Sequence, residues 1–250
     1  MSEILPGAEP MSVEGGRVGV LVLHGFTGNP QSMRPLAEAF AAAGHAVEMP
    51  LLSGHGTRLE DMLDTSWADW SADAEAAYER LAARTDRVVV AGLSMGGSLT
   101  IWLATRHPEI AGIICVNPAT QAAAEVRDFI QTLVDDGQEV MDSIGSDVAD
   151  PASPELAYPG TPLRPLLSMF DAANEVQSSI GSIKCPLLLF TSPEDHVVPP
   201  TDSDFLAEHV GGTVERVSCD RSYHVATIDY DKDLIIERSL EFVGRVTAPD

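Results

Sequence analysis

A five-residue turn, Gly92-Leu-Ser94-Met-Gly96, constrains the fold more than any other feature of this chain. An apolar, β-branched run, Arg87–Ala91, leads directly into it, and apolar residues at three- and four-residue spacing follow over Gly97–Arg106. A sharp strand-to-helix turn crowds the backbone, and glycines on both sides of the serine leave room for it. The pattern predicts a strand, a tight turn and a helix, with Ser94 at the carboxyl end of the strand.

The rest of the chain alternates between short apolar runs and helical patterns. Strands are predicted at Val18–Leu23, Ala46–Met49, Ile113–Val116, Leu187–Thr191 and Thr213–Val217. Helices are predicted at Met33–Ala43, Trp67–Ala83, Phe205–Val210 and Leu234–Val243. Short buried strands joined by crossover helices are typical of the α/β class, with a mostly parallel sheet flanked by helices.

One stretch, residues 118–183, breaks this alternation. It shows no convincing strand; Ala122–Val134 and Leu163–Ile180 have helical patterns, and the residues between are rich in Asp, Ser, Gly and Pro. The expectation is a single domain over residues 1–250, with 118–183 as a small cap inserted before the penultimate strand. A loosely ordered surface excursion is the alternative interpretation.

Ser94 is the candidate nucleophile. At the N-terminus of the following helix, amide donors and the helix dipole favour the negative charge that develops in acyl transfer. A glycine-rich turn that cradles a phosphate is the alternative, but no Gly-x-Gly-x-x-Gly or Gly-x-x-x-x-Gly-Lys pattern is present.

A serine nucleophile needs a base and a group that orients the base. His224 lies after the last predicted strand and before the final helix, whereas His209 falls inside a helix. The loop after Leu187–Thr191 offers Glu194 and Asp195, and Val197-Val198 behind them suggests a loop that folds back and buries the aspartate. We therefore predict His224 as general base and Asp195 as its orienting acid.

The backbone amides of Phe26 and Met95 are the candidate oxyanion-hole donors. Phe26 follows His24-Gly25 at the end of the first predicted strand, and Met95 follows the nucleophile. His24 is interpreted as a structural, hydrogen-bonding residue. A metal site at His24, His55 and His224 is disfavoured because no helical His-x-x-x-His or Cys-x-x-Cys spacing supports it; no metal and no cofactor are expected.

Charge and composition limit the classes of partner and substrate that this protein is expected to bind. The formal net charge is −23, from 38 acidic against 15 basic residues, which disfavours nucleic acid and anionic substrates. No apolar run approaches the roughly 18 residues that span a bilayer, so no stable membrane insertion is expected. Three scattered cysteines and no visible signal peptide indicate reduced thiols and the cytoplasm. A monomer or weak dimer is expected.

With these residues identified, the chain resembles the bacterial carboxylesterases and monoacylglycerol lipases of the α/β-hydrolase superfamily. The resemblance runs from about Val18 to Val243 and lies in five segments: His24–Gly28, Gly54–Gly56, Gly92–Gly97, Ser192–Pro199 and Ser222–Asp233. It implies a compact cap and hydrolysis of carboxylic esters or monoacylglycerols of short to medium acyl length through a Ser-His-Asp triad. An acyltransferase or perhydrolase with the same triad, or a non-catalytic binding protein of the same fold, are the alternatives.

Overall fold

A seven-stranded sheet forms the centre of the molecule, seen in a computed structural model that describes residues 2–143 and 145–248. The strand order is β1-β3-β2-β4-β5-β8-β9; β1 at one edge is antiparallel to its neighbour, and all other pairs are parallel. The strands of this sheet are β1 (Met11–Val13), β2 (Val18–Leu23), β3 (Ala46–Met49), β4 (Arg87–Leu93), β5 (Gly112–Val116), β8 (Leu187–Thr191) and β9 (Val214–Ser218).

Two layers of helices cover the sheet. Alternate residues of β4 point to opposite faces, with Val88 and Val90 in one apolar cluster and Val89 and Ala91 in the other. The first cluster includes residues of α2, α3 and α6, and the second includes residues of α1 and α7. These helices are α1 (Arg34–Ala42), α2 (Trp67–Ala82), α3 (Met95–Arg106), α6 (Pro200–His209) and α7 (Lys232–Val246).

The insertion between β5 and β8 has its own small core. It carries α4 (Ala124–Asp135) and α5 (Leu163–Gln177), which pack together through Ile130, Val134 and Leu167. It also carries β6 (Val140–Asp142) and β7 (Gly160–Pro162), an antiparallel pair. The expectation that residues 118–183 hold no strand is therefore wrong: each strand has only three residues, too few to show an alternating pattern.

The remaining differences between the predicted and observed elements are one edge strand and the ends of some helices. β1 was not predicted, and α6 begins at Pro200 instead of Phe205. Pro200 occupies the first turn of α6, where a missing amide hydrogen costs nothing, so the Pro199-Pro200 pair starts a helix there. Within the described residues, the structure contains no helix that is both long and apolar enough to cross a membrane.

Candidate active site

Ser94 lies on the tight turn between β4 and α3. Its backbone angles, φ 56° and ψ −119°, fall in a sparsely populated region for a residue with a side chain. A Cβ on Gly92 would lie 2.0 Å from the carbonyl oxygen of Gly96, and a Cβ on Gly96 would lie 2.2 Å from that of Leu23. Both positions therefore require glycine, as the sequence pattern predicts.

Asp195 lies in the loop that follows β8. Its side chain is only 1% exposed, and its Oδ1 accepts hydrogen bonds from the amides of Val197 and Val198, both at 2.8 Å. The loop folds back on itself as expected from the two valines, whereas Glu194 is exposed. The neighbouring carboxylates thus differ sharply in environment, and Asp195 is the buried one.

His224 lies between β9 and α7 and contacts Asp195 directly. The ring Nδ1 of His224 is 2.7 Å from Oδ2 of Asp195, and the histidine side chain is 7% exposed. A carboxylate can only accept a hydrogen bond, so Nδ1 donates and Nε2 of the neutral ring holds the lone pair. That lone pair is what a general base requires.

Asn117 connects the acid and base loops, and the sequence analysis did not select it. Its Nδ2 donates to the carbonyl oxygen of His224 at 2.7 Å, and its Oδ1 accepts from the amide of Ser192 at 2.8 Å. The amide of Ser94 donates to the carbonyl of Val116, the residue before Asn117. Ser94, Asp195 and His224 therefore lie at the same edge of the sheet. The only available signal was a polar residue directly after β5, at the carboxyl end of a parallel strand.

The structure brings the serine and the histidine to this edge without a direct bond between them. Across residues 2–143 and 145–248, no hydrogen bond joins Oγ of Ser94 to Nε2 of His224. Hydrogen bonds of this kind are often long in the absence of substrate and tighten in the reacting complex.

The loop after β2 passes over the serine. A Cβ on Gly25 would lie 3.3 Å from Cβ of Ser94. The next residue in the loop, Phe26, therefore also lies near the serine. Within the described part of the chain, the amides of Phe26 and Met95 donate no hydrogen bond to a protein acceptor. Both are therefore available to a ligand atom.

His24 and His55 form a buried aromatic group behind Phe26. Nε2 of His24 accepts from the amide of Leu52 at 3.2 Å, and the His55 ring packs edge-on against His24, Phe26 and Trp70. Burial lowers the pKa of His24 to about 4 and that of His55 to about 3. Both rings are neutral at pH 7 and support the loop, which agrees with a structural role for His24.

Glu155, on the insertion, is a second residue that the sequence analysis did not select. Its Oε1 would lie 3.0 Å from a Cβ on Gly28, and the half-buried carboxyl interacts electrostatically with His224 and Asp147. Desolvation by the surrounding protein raises the pKa of Glu155 to about 7; His224 opposes this shift and Asp147 adds to it. A carboxyl whose pKa is raised towards neutral by burial thus lies within electrostatic range of the histidine.

The large apolar residues of the insertion could in principle line an acyl-chain pocket, but they belong to two packed cores. Leu163 and Leu167 belong to the core between α4 and α5, with Leu133, Leu166 and Phe170 against it. Met169 belongs to the main core. Packing within the insertion and against the sheet accounts for these residues.

Comparison with known proteins assigns the family. A sequence model of the serine aminopeptidase S33 family matches residues 17–231. A thermostable monoacylglycerol lipase of Bacillus sp. (strain H-257) is 47% identical over 97% of this chain and 96% of its own length. A carboxylesterase of Bacillus subtilis (strain 168) is 25% identical over 95% of this chain and 97% of its own.

Solved structures agree with this assignment. A chain from the work on LipS and LipT, two metagenome-derived lipolytic enzymes, superposes with a TM-score of 0.93 at 43% identity, over 97% of this chain and 100% of that one. The monoacylglycerol lipase of Paleococcus ferrophilus, at 18% identity, has a TM-score of 0.76 over 96% of this chain and 100% of its own, and supports the fold alone. The chain has the α/β-hydrolase fold and belongs to the serine aminopeptidase S33 family.

Proposed function

We propose that this protein is a serine hydrolase that cleaves carboxylic esters, with monoacylglycerols of short to medium acyl length as the substrate class. The buried Asp195–His224 hydrogen bond at the edge that carries the Ser94 turn is the observation that supports the chemistry. The 47% identity to a monoacylglycerol lipase, over nearly the whole chain, supports the substrate class.

The proposed reaction is a two-step acyl transfer. Ser94 attacks the ester carbonyl while Nε2 of His224 takes the hydroxyl proton, and Asp195 stabilises the imidazolium that forms. The amides of Phe26 and Met95 bind the tetrahedral oxyanion. His224 then protonates the leaving alcohol, and a water molecule, activated in the same way, releases the acid. Apart from the substrate and this water molecule, each step uses groups of this chain.

Residues 118–183 are proposed to act as a cap over this site. The support is that two of their carboxyls lie at the site: Glu155 beside Gly28, and Asp147 hydrogen-bonded to the amide of His224. We further propose that the protein is a monomer or weak dimer located in the cytoplasm.

The test is a panel of p-nitrophenyl esters and monoacylglycerols of graded acyl length, measured with the unaltered protein and with Ser94→Ala. We expect hydrolysis by the unaltered protein and a loss of several orders of magnitude in kcat for the variant, because the nucleophile is removed. Ser178→Ala, at an exposed serine after α5, is the matched control and should keep full activity. Hydrolysis that survives Ser94→Ala would contradict the mechanism.

Two measurements separate the alternatives. Added alcohol or peroxide distinguishes a hydrolase from an acyltransferase or perhydrolase by the ratio of products. A fluorophosphonate probe that fails to label Ser94 would favour a non-catalytic binding protein.

A further inference from the structure

Asp147, on the insertion between β6 and β7, has a buried carboxylate with three hydrogen-bond partners. Its Oδ2 accepts from the backbone amides of both His196, at 3.1 Å, and His224, at 3.0 Å. Its Oδ1 lies 2.8 Å from the ring Nδ1 of His196. The residue is only 7% exposed. One side chain from the insertion thus contacts two separate loops of the main domain.

These two loops carry the acid and the base. His196 directly follows Asp195, and the other amide belongs to His224 itself. The Asp195–His224 hydrogen bond, at 2.7 Å, closes the same ring of contacts. Oδ2 of Asp147 accepts from both amides at once. It therefore holds the backbone of the acid loop and the backbone of the histidine loop at a fixed spacing.

The insertion also donates hydrogen bonds to the His224 loop. Asp229, on the His224 loop, accepts from the amides of Ala149 at 2.7 Å and Asp150 at 3.0 Å, both on the insertion. The amide of Val225 donates to the carbonyl of Asp147 at 3.1 Å. Residues 147–150 are therefore bound to the histidine loop by several hydrogen bonds.

The carboxylate also affects the charge around the histidine. Three carboxyl groups face His224: Asp195 from the acid loop, and Asp147 and Glu155 from the insertion. Within the described residues, the one side chain that contacts the carboxylate of Asp147 is the ring of His196, which is 52% exposed. A positive charge on the His224 ring would be stabilised by this buried negative neighbour.

We propose that Asp147 is a positioning residue for the Asp195–His224 pair: its carboxylate holds the two loops at the separation that their hydrogen bond requires and stabilises the imidazolium formed during catalysis. This inference rests on the proposed role of His224 as general base. It makes the insertion part of the catalytic support, in addition to any role in covering the substrate.

Two variants separate geometry from charge. Asp147→Ala removes all three contacts. In Asp147→Asn the amide oxygen can still accept from both backbone amides, so the spacing of the two loops is kept; the charge is lost, and an amide nitrogen replaces Oδ1 opposite Nδ1 of the exposed His196 ring. Asp150→Asn is the matched control, because among residues 2–143 and 145–248 this carboxylate accepts only from Ala152 and Ser153, both within the insertion.

Four readouts are measured at a temperature below each variant's melting midpoint: the rate of Ser94 labelling by a fluorophosphonate, kcat and KM for p-nitrophenyl butyrate, the downfield NMR signal of the His224 Nδ1 proton, and the pH profile of labelling. For Asp147→Ala we expect labelling and kcat to fall roughly tenfold to a hundredfold with little change in KM, as for a displaced catalytic group. The downfield proton signal should broaden or disappear. Asp150→Asn should match the unaltered protein.

For Asp147→Asn we expect a smaller loss of rate and an acidic limb of the labelling profile displaced to lower pH, because the imidazolium loses a neighbouring negative charge. A residue that only folds the insertion would not move this limb. If Asp147→Ala does not fold, Asp147→Asn decides: an unchanged limb and rate overturn the proposal. A folded Asp147→Ala that labels at the normal rate, or changes KM alone, also overturns it.

The labelling assay separates this inference from the proposed substrate. If the unaltered protein labels at Ser94 but hydrolyses no ester, the proposed function fails, and the labelling rates of the Asp147 variants still test the positioning role. If the unaltered protein does not label, the base itself is misassigned and both proposals fail.

Discussion

The turn at Ser94 depends on two glycines that have no room for a side chain. A Cβ on Gly96 would lie 2.2 Å from the carbonyl of Leu23, which belongs to the neighbouring strand β2. We expect Gly96→Ala to lower the free energy of unfolding by about 3 kcal/mol or more, as strain in a tightly packed interior does, and to lower kcat because the turn must move. Urea denaturation and ester hydrolysis measure the two effects.

Gly244, in α7, provides the control for that substitution. A Cβ there would meet nothing within 4 Å. Gly244→Ala should raise stability by about 0.5–1 kcal/mol, because alanine restricts the unfolded chain and favours a helix. Equal effects of the two substitutions would show that packing at the turn is not the cause.

Glu155 gives the protein a pH dependence that can be tested by removing its charge. Since its pKa is raised from 4.5 to about 7, the folded protein holds a proton that the unfolded chain releases, and stability falls as pH rises from about 4.5 to 7. Glu155→Gln removes this cost. We expect its Tm to exceed that of the unaltered protein at pH 8, with the difference shrinking towards pH 5.

Glu139→Gln, at an exposed glutamate elsewhere on the insertion, should show no such pH-dependent difference. A Glu155→Gln variant whose Tm difference stays constant from pH 5 to 8 would mean that the carboxyl does not titrate in this range.

Some site residues could be predicted from the sequence and others could not. The Ser94 turn is a local pattern, and the choice of Asp195 over Glu194 followed from the two valines beside it. Asn117 and Asp147 have no comparable pattern: they are isolated polar residues whose partners lie 107 and 77 positions away at His224. Only the folded chain shows what they contact.

Among the secondary-structure elements, the length of a strand determined whether it could be predicted from the sequence. The six parallel strands have four to seven residues, and their predicted positions agree with the structure to within two residues at either end. Five of them are mostly apolar and buried, whereas the edge strand β9 is only partly buried. The strands β1, β6 and β7 have three residues each and depend on pairing with a partner strand. Such pairings form through tertiary contacts, which leave no periodic pattern in the sequence.

Helix α6 is attached to the segment after β5 by one buried carboxylate. Oδ2 of Asp202 accepts from the amides of Thr120 at 2.7 Å and Gln121 at 2.9 Å. Asp202→Ala would leave both amides without a partner, so we expect a loss of about 2 kcal/mol or more in the free energy of unfolding.

In the same helix, Asp204 forms an exposed ion pair with Arg216. Asp204→Ala should cost less than about 1 kcal/mol. Chemical denaturation of both variants measures the difference, and similar losses would contradict the assignment of Asp202 as the attachment point.

At the scale of the whole molecule, the net charge of −23 makes self-repulsion a global term in stability. Added salt shortens the range of this repulsion, from about 30 Å at 0.01 M to about 10 Å at 0.1 M. We expect Tm to rise as NaCl is raised over this interval, measured by differential scanning fluorimetry at pH 8. A fall in Tm would show instead that attractive surface ion pairs, such as that between Arg84 and Glu14, outweigh the excess charge.

The attachment of the insertion to the histidine loop has a consequence for recombination between relatives. The insertion joins the carboxyl end of β5 to the amino end of the adjacent, parallel strand β8, so an exchange of residues 118–183 replaces one connection and leaves every strand of the main sheet in place. However, Asp147 would leave with the exchanged segment, while the amides that it holds would remain. A chimaera made in this way would acquire new selectivity and lose reactivity unless the donor segment supplies a carboxylate at the same place.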